Sequence, residues 1–174
     1  LLIVLIMPVQ TNTNLPQTNG IKTLVDVLLA AGALTSENAK QIKLSEIQTG
    51  NSQEEIIKSS NIVDETALTK AKAALYNIPY IDLSLVPISP EALSALPQEV
   101  ATRLKAFPVS LDPAGRQIVI AMSDPLDLAA IEFVEQKTGL SVKPHAAEPS
   151  KIEIMISTGY STSLAKEVTE ALRE

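Results

Sequence analysis

Asn77-Ile78-Pro79-Tyr80-Ile81-Asp82-Leu83 divides this chain into two kinds of sequence. Upstream of it, apolar residues recur at helical spacing. Ile21, Leu24, Val25, Leu28 and Leu29 fall at i, i+3, i+4, i+7 and i+8, which is one face of a helix. Gly32 ends that helix, because a left-handed residue after the last turn costs glycine little. Thr35 caps a second helix with Ala39, Ile42 and Ile47 on its inner side, and Gly50 follows it. Ser52-Gln53-Glu54-Glu55 is a capping box opening a third helix, with Ile56 and Ile57 as core candidates and Asn61 as its left-handed terminator. Asp64 caps a fourth helix, with Leu68, Ala71 and Leu75 inward. The four helices form an internal repeat: Leu28 matches Ile57, Gly32 matches Asn61, Leu34 matches Val63, Thr35 matches Asp64, and Ala39 matches Leu68. A single helix–turn–helix unit cannot bury its own apolar face, so the two copies are expected to pack on each other.

Downstream of Pro79 the reading changes. Tyr80–Leu83 is expected to be a short strand. Ser89-Pro90-Glu91 supplies a cap, a proline at the first helical position and a first-turn acid. Residues 98–106 form a further helix with Val100 and Leu104 on one face. Phe107–Leu111 and Gln117–Met122 are strands joined at Asp112-Pro113-Ala114-Gly115, a turn sequence. Asp124-Pro125 reads as the cap of a helix whose apolar face is Leu128, Ile131 and Val134 and which Gly139 closes. Leu140–Ala146 is a third or fourth strand, Pro149–Thr158 a closing helix, and Ser161–Glu174 a tail of helical composition with Leu164, Val168 and Leu172 spaced by four. The expected class is α+β: an all-α helical-repeat lobe followed by a small module with a three- to four-stranded sheet. The expected divisions are a disordered lead-in over 1–19, the four-helix lobe over 20–78, the α+β module over 79–160, and a helical tail or linker over 161–174.

Composition narrows the function classes. Of 174 residues 45% are hydrophobic but only 3% aromatic, so the core is built from aliphatic side chains. The net charge of −6 opposes a nucleic-acid surface, which needs clustered Lys and Arg. The absence of cysteine excludes disulfides, thiolate metal sites and cysteine nucleophiles. The apolar opening Leu1–Met7 is far short of the about 20 residues that span a bilayer. Met7 followed by a polar stretch looks like an ordinary start, so Leu1–Ile6 reads as a start-site artefact, the alternative being the remnant of a truncated signal segment. Pro8–Asn19 carries no charge and is rich in Asn, Gln, Thr and Pro, the composition of a disordered segment.

Catalytic signals are few. None of the six glycines begins the Gly-x4-Gly-Lys-Ser/Thr spacing, so no phosphate loop is present to grip a β- or γ-phosphate. His145 is the sole histidine and lies in an expected strand without metal-ligating neighbours, so no metal site is expected. Glu54-Glu55 and Asp64-Glu65 are first-turn acids that favour the positive end of a helix dipole.

The run at 77–83, followed by Ala121-Met122-Ser123-Asp124-Pro125-Leu126-Asp127, resembles the N-terminal region of the motor ATPases that drive type IV pilus assembly and type II secretion. In that family a helical region ends in Gly-Leu-Pro-Phe/Tyr-hydrophobic-Asp-Leu, and a small module carrying Ala-Met-Ser-Asp-Pro follows. The resemblance extends over residues 21–160. It implies a non-catalytic regulatory and docking region that contacts the cytoplasmic parts of an inner-membrane platform, with the ATPase core in cis where the parent is longer. It also implies a cytoplasmic location, peripheral to the inner membrane through partners, with no cofactor, no nucleic acid and no direct membrane insertion. In one branch of the family, two similar repeats bind cyclic di-GMP. Each opens with Arg-Leu-Gly, continues with an apolar pair and a Gly, and closes with Gln. Here Leu28, Leu29 and Gly32, and in the second copy Ile57 and Asn61, stand at the corresponding places. The openings are Thr23-Leu24-Val25 and Ser52-Gln53-Glu54, and the closing positions are Glu46 and Leu75. Both arginines are absent, and Glu54 would repel a phosphate. A nucleotide receptor with an altered site and a free-standing adaptor are the alternative functions.

Overall fold

Thr23, Thr35, Ser52 and Asp64 each turn an extended backbone into a helix by accepting an amide proton three residues ahead. The computed structural model describes residues 22–171, so the lead-in over 1–19, Ile21 and Leu172 lie outside the described residues. The four caps open α1 (Leu24–Ala30), α2 (Ser36–Thr49), α3 (Gln53–Ser60) and α4 (Glu65–Leu75). The box at Ser52 is closed by Glu55, whose carboxylate accepts the Ser52 amide at 2.9 Å. Thr23 and Asp26 form a second box that sequence reading did not identify. Leu24, Val25, Leu28, Leu34, Ala39, Ile42, Ile57, Val63, Leu68 and Ala71 make one apolar core from all four helices.

Two expected inward residues face out. Ile47 is 82% exposed. It lies five residues after Ile42, about 140° further round the helix, and so leaves the face that Ala39 and Ile42 bury. Leu29, at the margin of the α1 face, is also exposed.

Beyond the seam, Tyr80–Leu83 is not a strand. Tyr80 makes a single parallel bridge to Ala146, and Leu83–Leu85 is a 3-10 turn. Asp82 caps that turn, its carboxylate accepting the Ser84 amide at 3.0 Å. Next come α5 (Pro90–Ala95), α6 (Gln98–Leu104), β1 (Ala106–Leu111), β2 (Gln117–Met122), α7 (Leu128–Thr138), β3 (Ser141–Ala146) and α8 (Pro149–Ala171). The sheet order is β1-β2-β3, antiparallel then parallel. Asp112 forms the β1–β2 turn, its Oδ1 accepting the Arg116 and Gln117 amides at 2.6 and 2.8 Å. A second core gathers Phe107, Ile118, Ile120, Met122, Val134, Ile152 and their neighbours between this sheet and α5–α8. The molecule is α+β, as the sequence implies.

The cap of α7 is a correction. Asp124 does not open that helix: its Oδ1 accepts the Leu126 amide at 3.2 Å in a local turn, and Asp127 caps by accepting from Ala130 at 3.0 Å. Pro125 therefore lies before the helix, and Leu128 is 70% exposed while Ala130 and Val134 are buried. The expected break between the closing helix and the tail is also absent. α8 runs through Gly159, which sits so close to the Phe107 ring that an added Cβ would lie 3.2 Å from Phe107 Cε2.

Candidate functional site

The repeat brings its two openings together. Gln53, in the opening of the second copy, accepts the Val25 amide on Oε1 at 3.0 Å and donates from Nε2 to Glu46 at 2.8 Å. One glutamine thus ties the opening of the first copy to its close. The surrounding groove holds about 590 Å³ and is lined by Thr23, Leu24, Glu46, Gln53, Lys72 and Leu75, among others. Its charges are mostly engaged. Glu54 pairs with Lys58 at 2.7 Å and with Lys72 at 2.8 Å. Burial raises the Glu54 carboxyl, and the two ammonium groups more than offset this and hold it below the usual value. Asp26, outside the groove, is lowered to about 2 by its hydrogen bond from Lys43, at 2.7 Å, and by those from Thr23.

A second cavity, of about 310 Å³, lies between the lobes. Asn61, Leu68, Lys72 and Tyr76 line it from the helical side, and Ser123, Asp124, Leu126, Ala146 and Pro149 from the α+β side. The Ala-Met-Ser-Asp-Pro run and the helical repeat, remote in sequence, therefore share one concavity.

The five residues matched to a dinucleotide site are dispersed. Leu28 and Ile57 are fully buried in the helical core, and Leu29 is partly exposed. Gly32 and Asn61 hold the left-handed positions after α1 and α3, with φ of 71° and 52°. Of the five, only Asn61 reaches either cavity.

Sequence reading missed the polar cluster behind the second cavity. Glu148 is 1% exposed, and its Oε1 accepts from the Thr66 and Tyr80 hydroxyls at 2.8 Å each. Lys151 Nζ approaches the same oxygen at 3.2 Å and also donates to Asp82 at 2.9 Å. Burial alone would raise the Glu148 carboxyl, but its own amide, Thr66, Tyr80 and Lys151 together hold it below the usual value. Burial, followed by the bond to Glu148, pushes the Tyr80 phenol up to about 12. The bond to Asp82 first, and Glu148 after it, raise Lys151. The available signal was Glu148-Pro149, an acid directly before a helix-opening proline. Among the described residues, no group of three or more histidines and carboxylates is placed to hold a metal, and no helix is long and apolar enough to cross a membrane.

Residues 76–166 match the family model of the MshEN domain. The type IV pilus assembly ATPase PilB of Thermus thermophilus is 32% identical over 143 residues, 82% of this chain and 16% of that protein. PilB of Myxococcus xanthus is 28% identical over 98 residues, 56% of this chain and 17% of its own length. The chain thus spans under a fifth of the curated relatives it matches. Among solved structures, that of MshE with cdg superposes with a TM-score of 0.63 at 27% identity, covering 80% of this chain and 99% of that one. The N-terminal domain of XpsE superposes with a TM-score of 0.56 at 20% identity, covering 77% of this chain and 91% of that one, which is a likeness of fold.

Proposed function

This chain belongs to the MshEN-domain family, and from that premise we propose that it is a non-catalytic regulatory and docking region of a pilus-assembly or type II secretion ATPase, binding the cytoplasmic parts of the membrane platform. The observation that carries this reading is the family match over residues 76–166 in a chain whose sequence contains no phosphate loop. Such a region acts by holding surfaces in place, and the two cores supply rigid supports for them. The location that follows is cytoplasmic and peripheral, through partners. The test is capture of the cytoplasmic fragments of a platform protein by the folded chain, with phosphate release from ATP followed in the same preparation. Binding without hydrolysis is expected. Hydrolysis that survives rigorous purification, or a folded chain that binds no platform fragment, rejects the reading.

A second reading, a cyclic di-GMP receptor, is favoured by MshE having been solved with cdg and by the grooves at the repeat. Its chemistry is opposed by Glu46 and Glu54 beside the openings and by the missing arginines. Arginine offers phosphate a bidentate, permanently charged partner, and Lys72 at the groove is already paired with Glu54. In a calorimetric titration, cyclic di-GMP should bind weakly or not at all. Low-micromolar binding would move the receptor reading to first place.

A further inference from the structure

The Glu148 cluster joins three separate segments. Thr66 belongs to the first turn of α4, in the helical lobe; Tyr80 and Asp82 belong to the connecting run; Glu148 and Lys151 belong to the start of α8. Neighbouring contacts run in the same direction. The Ser150 amide donates to Glu65 at 3.2 Å, and the Ser150 hydroxyl donates to the same carboxylate. Lys70 of α4 stands 5.0 Å from the centroid of the Tyr80 ring. A buried carboxylate is expensive unless its partners are in place, and one of these partners comes from the other lobe. Docking at this angle is therefore part of what makes the burial tolerable. Glu148 Oε2 is buried as well and meets no donor from another described residue. Separating the lobes would break the Thr66 bond.

We propose that Glu148 is the pin of an interlobe clasp that sets the angle between the helical lobe and the α+β lobe, and with it the width of the cavity between them. Glu65 of α4 and Ala146 and Pro149 beside Glu148 line that cavity, so an opening of the clasp widens it directly. The inference rests on the geometry of the cluster and is independent of which ligand, if any, the cavity takes.

The chain has no cysteine, so Lys40→Cys on α2 and Gln136→Cys on α7, both exposed, place one spin label in each lobe. Dipolar spectroscopy then reads the interlobe distance distribution. Thr66→Val and Glu148→Gln should each broaden it or shift it to longer distance. Amide exchange at Ile57 and Ile120, one in each core, should stay at the parent level. A distribution as narrow as the parent's in both folded variants overturns the clasp. So does loss of Ile120 protection in Thr66→Val without a change in distance, which would mark the cluster as mere core support. If Glu148→Gln fails to fold, Thr66→Val, isosteric and in the opposite lobe, decides alone.

Discussion

Asp124 and Asp127 stand three residues apart, either of them able to cap a helix, and the structure gives them different work. Asp127 accepts the amide three residues ahead, which satisfies one of the orphan donors of a helix start. Asp124 reaches only two residues ahead and makes a turn. Asp127→Ala should therefore lower stability by about 1 kcal/mol, the usual loss on removing a cap. Asp124→Ala should cost less. Urea unfolding of the two variants measures both, and a larger loss at Asp124 would return the cap to that residue. Which aspartate caps was not legible locally, because both sit in good capping context. The turn that Asp124 closes on Leu126 leaves the helix to start after Asp127.

At the scale of elements, α8 and β3 have the clearest consequences. α8 is 23 residues long, about 35 Å at helical rise. Ile152, Ile156 and Tyr160, spaced by four, are buried, and the Tyr160 hydroxyl donates to the Leu96 carbonyl at 2.5 Å. Leu164 and Val168 continue the same ladder but are 59% and 57% exposed, because the helix runs past the lobe that buried its first half. Amide exchange should therefore be slow through Tyr160 and markedly faster over residues 164–171. Equal protection along the whole helix would show the second half to be covered. The outer edge of β3 offers a partner no strand to pair with. The Val142 amide donates to Glu135, Pro144 has none, and the Ala146 amide donates to the Pro79 carbonyl. These are the alternate positions that a strand turns away from its neighbour, so docking by strand addition is blocked there.

For the whole molecule, acid and alkali act on opposite signs of shift. Asp26, Glu54, Asp82 and Glu148 have folded values held below those of the free side chains. Their contribution is complete above the unfolded values of 3.8 to 4.5 and is lost as pH falls through the lowered ones, down to about 2 for Asp26. Tyr80 and Tyr160 are raised to about 12, so their contribution is present below the free value of 10.0 and fades as pH rises towards 12. The urea midpoint should be flat between about pH 5 and pH 10 and fall on both sides. A midpoint that keeps rising below pH 4 would contradict the acid limb. The sequence by itself determined the α+β class, the helix starts at Thr35, Ser52 and Asp64, the left-handed ends at Gly32 and Asn61, and the turn at Asp112. The class follows from apolar periodicity along the chain, and each of the others depends on a residue acting on backbone within a few positions of itself, which is local chemistry. Only the tertiary structure decided the rest. It bent the expected strand at Tyr80–Leu83, chose Asp127 over Asp124, carried α8 through Gly159, and set Thr66 against Glu148 across 82 positions of chain. Those outcomes depend on which surfaces meet and what they remove from water, and no local window of sequence contains both partners.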